Sequence, residues 1–597
     1  MNNRINYKRN VDCLIVFILV AWTRFYTAFR AMPVYTVSDE VSSISIAALL
    51  AGYDWTDVIS HAGYYGIGYL WIFAPLYMLK LPAVLIYKIT VAFSGVILGL
   101  GAIVCYRILE NFFTEISRSE RILIAAACGS LSYVSTYQNS IRNEEMLILV
   151  CWMISYSFFS VLKEINVKKN QVSIVILCLY SLTLHARSMA MIVGIILSTL
   201  IIHFIFKKDL LGQAEIIILI AGTLLVNGVL KIYQNYIWDG QAKNSSVTEV
   251  ISRGAAKFKF DWAYIKAQIG MVFGNLYTAY AVSAGIFVVA LVGIILLFVR
   301  HLKKKDLTIE ETSILCLSIF LIITNVIIFG GLMFSWGGSI ANAIRNGTEA
   351  AYSYKGFTYM RYPGYLWPPL FMCGLLILKK DRKNAEHIAL ISTGILIVLT
   401  VGWCVFVLPY QAPLKSLLFI VTTYVNGAGI MWWTLQILVI LGNAILWPVI
   451  TKNRRYLLIL TVLLFLFSTA QRLVAYEKNE KLVNEKNYYH SYLCAEFVNE
   501  IKSDFDGTLT VYAYDTTDVT DHQNWYMYQL LCYDVHIVPE LPTDDQDEVV
   551  LLTNGELDET ERKGLKEIQL DAYNYVYYSG DQTEIVINTY INKEAND

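Results

Sequence analysis

The sequence predicts an all-α polytopic membrane protein of roughly 13 transmembrane helices, with a C-terminal extracytoplasmic α/β domain. Three observations predict it. Of 597 residues, 56% are apolar and only 16% charged, and the mean hydropathy of +0.50 lies outside the soluble range. Apolar runs of spanning length alternate with short basic segments. From Glu477 onward the apolar runs shorten and charges become frequent. The expected division is 1–476 for the transmembrane domain and 477–597 for the soluble domain.

The first ten residues carry Arg4, Lys8 and Arg9, and an apolar run from Val11 to Phe29 follows without a small-residue cleavage site. That is the pattern of a retained signal-anchor. The basic flank places the N-terminus in the cytoplasm and directs the first helix outward, so Asp39 and Glu40 arrive on the outer face.

Spans are expected near 12–30, 83–106, 122–138, 145–162, 171–185, 187–206, 214–234, 278–299, 312–333, 364–379, 386–408, 429–450 and 456–474. The inner loops of this arrangement hold Arg107/Arg118/Arg121, Lys163/Lys168/Lys169, Lys207/Lys208, Arg300/Lys303/Lys304/Lys305, Lys379/Lys380/Arg382/Lys383 and Lys452/Arg454/Arg455. Every inner loop is thus basic, as the positive-inside rule requires of a plasma-membrane protein. An odd number of spans puts the C-terminus outside.

Tyr64 to Leu81 is apolar enough to span, but counting it would place the Arg107–Arg121 loop outside. It is therefore read as an interfacial helix, whose Tyr64, Tyr65, Tyr69, Trp71 and Tyr77 suit the headgroup zone. Beyond Glu477, strand-like segments at Thr508–Asp515, Val535–Leu541, Glu548–Asn554 and Tyr573–Tyr578 alternate with helical ones at Ser491–Ser503, Asn524–Tyr533 and Asp558–Glu567. The alternation implies a partly parallel sheet. No nucleotide fingerprint follows any of these strands, and no nucleic-acid partner is expected. Eight of the ten cysteines fall in or beside apolar helices as small fillers, whereas Cys494 and Cys532 lie in the soluble domain, where a disulfide could form.

Ionisable residues concentrate in the outer loops. The first holds Asp39, Glu40, Asp54, Asp57 and His61; the second holds Arg142-Asn143-Glu144-Glu145; the third is the tight turn His185-Ala186-Arg187. A long fourth loop, Tyr236 to Tyr277, adds Lys243, Arg253, Lys257 and Lys259, and the fifth ends in Arg361-Tyr362-Pro363. Such a set suits transfer of a group away from a phosphate: a carboxylate accepts a proton from an incoming hydroxyl, and guanidinium groups pair with the departing phosphate oxygens. A donor met outside the cell fits a polyprenyl phosphate, whose tail lies in the bilayer and whose head reaches these loops.

The order of these features is a basic N-terminus, a first helix, Asp39-Glu40 in a long outer loop, Arg142-x-Glu144 in the second, and Arg361-Tyr362 five residues before Pro368. It resembles the C-type superfamily of membrane glycosyltransferases (GT-C). Within it the pattern is similar to protein O-mannosyltransferases, the lipid A aminoarabinose transferase and related bacterial enzymes. The resemblance covers Met1 to about Leu378. It implies an inverting glycosyltransferase that moves a sugar from a polyprenyl-phosphate donor to an acceptor hydroxyl on a lipid, a protein or a cell-wall glycopolymer. It implies that Asp39 is the base with Glu40 beside it, and that Arg142, Glu144, Arg361 and Tyr362 bind donor. Arg187 joins the donor phosphate by position alone. Relatives often show a single Asp where this chain has Glu144-Glu145, which leaves open which of the two enters the site.

Each residue also has a plainer role. Asp39-Glu40 and Glu144-Glu145 suit helix first turns, Arg142 and Arg361 suit headgroup anchoring, and His61 suits an ordinary loop. Tyr53, Trp55, Tyr64 and Tyr65 suit interface anchoring or sugar stacking. No cofactor is assigned, although the carboxylates could hold a divalent ion. The alternatives in function are a lipid-linked sugar transporter or flippase, and a polysaccharide polymerase or ligase using a lipid-diphosphate donor. Against the transporter, the chain has no internal repeat and no pair of broken helices in matching halves.

Overall fold

The first apolar run folds as α1, Asn2–Ala28, and its basic N-terminal flank is part of the same helix. The computed structural model describes residues 2–31, 37–64, 66–131, 141–237, 258–283, 285–303, 307–349, 351–359, 361–380, 385–410, 453–475, 489–505, 509–514, 524–543, 546–562 and 564–594. The expected span at 429–450, the fourth-loop Lys243, Arg253 and Lys257, Tyr65, and the end of the 122–138 span lie outside these residues.

After α1 come α2 (Val37–Leu50), α3 (Thr56–Ser60) and α4 (Ala74–Met78), then α5 (Ala83–Phe112), α6 (Arg118–Ser130), α7 (Glu144–Leu162), α8 (Val167–Leu184), α9 (Met189–Phe206) and α10 (Gln213–Ile237). The helical part continues with α11 (Trp262–Val282), α12 (Ile286–Leu302), α13 (Ile309–Arg345), α14 (Trp367–Lys380), α15 (Ala385–Phe406) and α16 (Arg454–Ala475). Among the described helices, 7 are long and apolar enough to cross a membrane. On α10, Leu224, Leu225 and Ile232 are 72%, 69% and 72% exposed. A soluble protein would not present such a stripe to water, and here it meets lipid. The protein is a multi-pass membrane protein.

Three elements differ from the sequence expectation. The span expected at 278–299 is part of a longer path: α11 enters from Trp262, breaks at Ser283–Gly285, and continues as α12. Gly285 permits the break because it adopts φ +85°, which side chains disfavour. The span expected at 312–333 is the 37-residue α13, about 55 Å long at 1.5 Å per residue and well beyond the hydrocarbon thickness of about 30 Å. Its final turns pair with the start of α11 through Arg345 Nε and Asp261 Oδ2 at 2.6 Å. The 64–81 stretch is not one interfacial helix but a 3₁₀ turn, Leu70–Phe73, leading into α4. Tyr64, Tyr69 and Tyr77 are buried in packing contacts and do not face the headgroup zone; only Trp71 of the described residues in that set is exposed.

The end of the bundle opposite Asp39 is tied by ion pairs between basic and acidic residues of neighbouring helices. Arg118 Nε and Tyr106 OH both donate to Asp12 Oδ2 at 2.8 Å, and Lys379 Nζ lies 2.6 Å from Glu120 Oε2. Ser117 and Glu120 form a capping box that starts α6.

Residues 489–594 build an α/β unit: α17 (Tyr489–Ile501), β1 (Thr510–Tyr514), α18 (Asn524–Leu531), β2 (His536–Val538), β3 (Val549–Thr553), α19 (Glu559–Arg562), β4 (Lys566–Gln569), β5 (Tyr575–Ser579) and α20 (Asp581–Glu594). The sheet order is β2-β1-β3-β5-β4. β2, β1 and β3 run parallel, with Val511 opposite Ile537 and Ala513 opposite Leu552, whereas β5 is antiparallel to β3 and β4. Every residue of the central β3 is buried, as expected for a strand covered on both faces. Cys494 and Cys532 are separate buried thiols, so the disulfide does not form.

This unit packs on the first loop of the helical part. Trp55 Nε1 donates to Tyr533 O at 2.9 Å, His536 Nε2 lies 2.8 Å from Asp57 Oδ2, and the Tyr533 ring packs edge-on against Tyr53 and Tyr77 at 5.1 and 5.2 Å. Tyr53 and Trp55 therefore join two parts of one chain.

Candidate active site

The site is assembled from the beginnings of two helices and two tight turns. Asp39 lies in the first turn of α2 and Glu144 is the first residue of α7. Both carboxylates therefore sit where the helix macrodipole favours an anion. Arg187 lies in the 3₁₀ turn Ala186–Ser188 between α8 and α9, and Arg361 stands three residues ahead of the 3₁₀ turn Gly364–Leu366 that opens α14.

Two glycines allow these turns to approach. Gly66 has φ +91°, and a Cβ there would fall 2.4 Å from Thr183 O; a Cβ on Gly68 would fall 2.1 Å from Asn143 Oδ1. With no Cβ at either glycine, the 66–68 segment approaches both the start of α7 and the end of α8, and Gly68 N donates to Thr183 O at 2.8 Å.

Arg361 is the centre of an ion-pair chain. Its Nη1 donates to Asp39 Oδ2 at 2.7 Å and its Nε to Glu144 Oε1 at 2.7 Å. Arg187 Nη2 donates to the same Glu144 oxygen at 3.1 Å. These four side chains are 8–15% exposed, so they interact through a medium that screens less than water. The Arg187 guanidinium also stacks on the Tyr362 ring, 3.8 Å from its centroid, and its Nη2 lies 2.6 Å from His185 Nε2. A guanidinium only donates, so His185 faces it with an unprotonated nitrogen.

A second layer lies beneath. Glu40 is fully buried, and its Oε1 accepts from Tyr87 OH at 2.7 Å and from Ile141 N at 2.8 Å. Burial pushes its carboxyl up to about 6, against the opposing pull of those two donors and of Arg142. Glu40 thus fixes, from below, the stretch that leads into α7. Arg142 is buried, and its carbonyl accepts from Tyr69 OH at 3.2 Å. Glu145 faces Arg24 of α1, with Oε1 and Nη2 3.7 Å apart. Of the two adjacent glutamates it is Glu144 that joins Arg187 and Arg361.

The structure therefore gathers Asp39, Glu144, Arg187, Arg361 and Tyr362 into one cluster, with Glu40 and Arg142 in the layer below. Sequence inspection missed Arg24, Tyr87 and the role of His185. Arg24 carried a usable signal, because an arginine inside an apolar span is costly unless paired. His61 accounts for itself locally, with Nδ1 2.9 Å from Asp57 O at the end of α3. No group of three or more His, Cys, Asp or Glu placed to hold a metal ion occurs among the described residues.

No family model matches the sequence, and no curated protein sequence matches it. The fold does match. A crystal structure of ArnT from Cupriavidus metallidurans bound to undecaprenyl phosphate superposes with a TM-score of 0.52 at 14% identity, covering 95% of this chain and 99% of that one. The apo form of the same protein gives 0.50 and 13%, with the same coverage. The chain has the ArnT fold. This is the fold implied by the resemblance to C-type membrane glycosyltransferases, and it extends over the C-terminal unit as well as the helices.

Proposed function

We propose that the protein is an inverting glycosyltransferase that takes a sugar from a polyprenyl-phosphate donor and attaches it to an acceptor hydroxyl at the outer face of the membrane. One observation carries this reading. Carboxylates and guanidinium groups from four separate loops meet in a single, nearly dry chain, in a protein whose fold is that of ArnT, crystallised with undecaprenyl phosphate.

In this mechanism Asp39 takes the proton of the acceptor hydroxyl. The acceptor oxygen forms the new bond to the anomeric carbon from the face opposite the phosphate, and the bond from that carbon to the phosphate oxygen breaks. The electron pair leaves with the phosphate, whose charge Arg361 and Arg187 stabilise. Glu144 holds both guanidinium groups in place between turns, and Tyr362 supports Arg187 from its open side. Arg142 and Glu40 shape the loop beneath, where Glu40 fastens Ile141. The Asp39–Arg361 contact implies an order of events: Arg361 turns toward the arriving phosphate and frees the Asp39 oxygen for the acceptor.

The test is reconstitution of the purified protein in vesicles with a polyprenyl-phosphate sugar labelled in the sugar. Transfer predicts that free polyprenyl phosphate appears together with a glycoside of inverted anomeric configuration. Movement of intact lipid-linked sugar between leaflets, with no bond broken, would make the protein a transporter.

A further inference from the structure

A cleft of about 440 Å³ lies between the α4–α5 turn and the C-terminal unit. That volume falls in the range of small-molecule sites, about 300–1,000 Å³. Lys80 and the residues up to Val84 line one side, Tyr492, Glu496 and Asn499 of α17 and Lys502 just beyond it line another, and Tyr533 and Asp534 complete the lining. The polar groups are preorganised: Lys502 Nζ donates to both Asn499 Oδ1 and Asp534 Oδ1 at 2.7 Å.

The lining holds two cations, Lys80 and Lys502, and two carboxylates, Glu496 and Asp534. A charged ligand would meet a repelling group for every attracting one. A polyhydroxyl ligand suits the lining, because each hydroxyl both donates and accepts and so can use ammonium, amide and carboxylate partners alike. Lys80 has φ +52°, a left-handed conformation that glycine adopts more readily, at the position that closes α4 through its own N–H to Tyr77 O at 2.9 Å. Backbone geometry alone would favour glycine there, yet the position holds a lysine, and that lysine lines the cleft.

The cleft is also connected to the ion-pair chain through α18. α18 packs against α2. α2 carries Asp39 in its first turn, and just beyond the end of α18 Tyr533, which lines the cleft, contacts Tyr53 and Trp55. Eight residues of helix span about 12 Å. We infer that this cleft binds a neutral saccharide segment of the acceptor, from which the reacting hydroxyl reaches along α18 to Asp39.

This rests on the transferase reading, and the experiment separates the two. Full-length protein in detergent is titrated with undecaprenyl phosphate and with maltotriose, mannotriose, xylotriose and chitotriose, and the titrations are repeated for Lys80→Gly and Asn499→Ala. At least one trisaccharide should bind with submillimolar Kd and weaken tenfold or more in both variants, while undecaprenyl phosphate binds as before. Lys80→Gly relieves the backbone, so its Tm should be unchanged or higher, which distinguishes loss of a ligand contact from loss of structure. If none of the four trisaccharides binds, or if binding survives Lys80→Gly, the cleft assignment is wrong. Failure of undecaprenyl phosphate to bind wild-type protein would instead count against the transferase reading.

Discussion

Arg361 shares its guanidinium between two carboxylates on different helices, and only a planar fork with several donors can do so at 2.7 Å to each. Arg361→Ala would leave both carboxylates short of a partner in a nearly dry site, a change that typically costs about 3–5 kcal/mol. Arg361→Lys keeps the charge but not the fork. It should lower Tm less than Arg361→Ala does, yet still weaken donor use about tenfold; donor titrations and melting curves on both variants check this. Glu40 gives a separate prediction from pH. Its folded-state value is raised from 4.5 to about 6, so its contribution to stability is fully present below pH 4.5 and is lost as pH rises through 6. The displacement is equivalent to about 2 kcal/mol. Glu40→Gln mimics the protonated form, and its melting temperature should fall less than that of wild type between pH 5 and pH 7.5; equal slopes would contradict the assignment. Asp39, Glu144, Arg187 and Arg361 were legible in the sequence because charge is scarce in this chain and marks the loops. Arg24 and Tyr87 were not, since one is embedded in an apolar run and the other is an ordinary aromatic until Glu40 is placed beside it.

At the scale of elements, hydropathy located the 7 described helices that are long and apolar enough to cross a membrane, because a membrane imposes length and apolarity together. It did not locate the break at Ser283–Gly285, where no proline marks the interruption, nor the extension of α13 to Arg345, whose last turns leave the apolar pattern. In the C-terminal unit the strand periods of β1, β2, β3 and β5 were readable. The expected helix Asp558–Glu567 takes in Lys566 and Glu567, the first half of β4, because Lys and Glu are good helix formers; pairing with β5 overrides that propensity at a sheet edge. The docking of this unit was invisible in the sequence, since Tyr53, Trp55 and Tyr77 look like membrane-interface aromatics until Tyr533 fills the space among them. Tyr533→Ala removes a buried ring shared by both parts and should cost about 3 kcal/mol. Hydrogen exchange should then rise together in residues 53–62 and 524–538. A rise confined to the C-terminal unit would mean that this contact does not tie the parts together.

For the molecule as a whole, the distribution of Lys and Arg predicts an outward-facing Asp39 end and a cytoplasmic Lys163–Lys380 end. The ten cysteines are buried or half-buried, so single introduced cysteines can report on sidedness. A membrane-impermeant maleimide should label Glu559→Cys in intact cells and Glu164→Cys only after permeabilisation; the reverse pattern would invert the topology. Because the C-terminal unit packs against the Asp39 loop, the first label reports on the side of the ion-pair chain as well. The fold links these levels: spans bring four loops to one end, helix starts and tight turns aim their charges, and the C-terminal unit packs on the loop that carries Asp39. The most direct measurement of what the assembly does is release of polyprenyl phosphate from a polyprenyl-phosphate sugar by wild-type protein and by Asp39→Asn, with undecaprenyl phosphate binding followed in parallel. The account predicts turnover by wild type and a loss of about 10²–10⁴-fold in the variant, the span of general-base catalysis, with binding retained. Undiminished release by Asp39→Asn would contradict it.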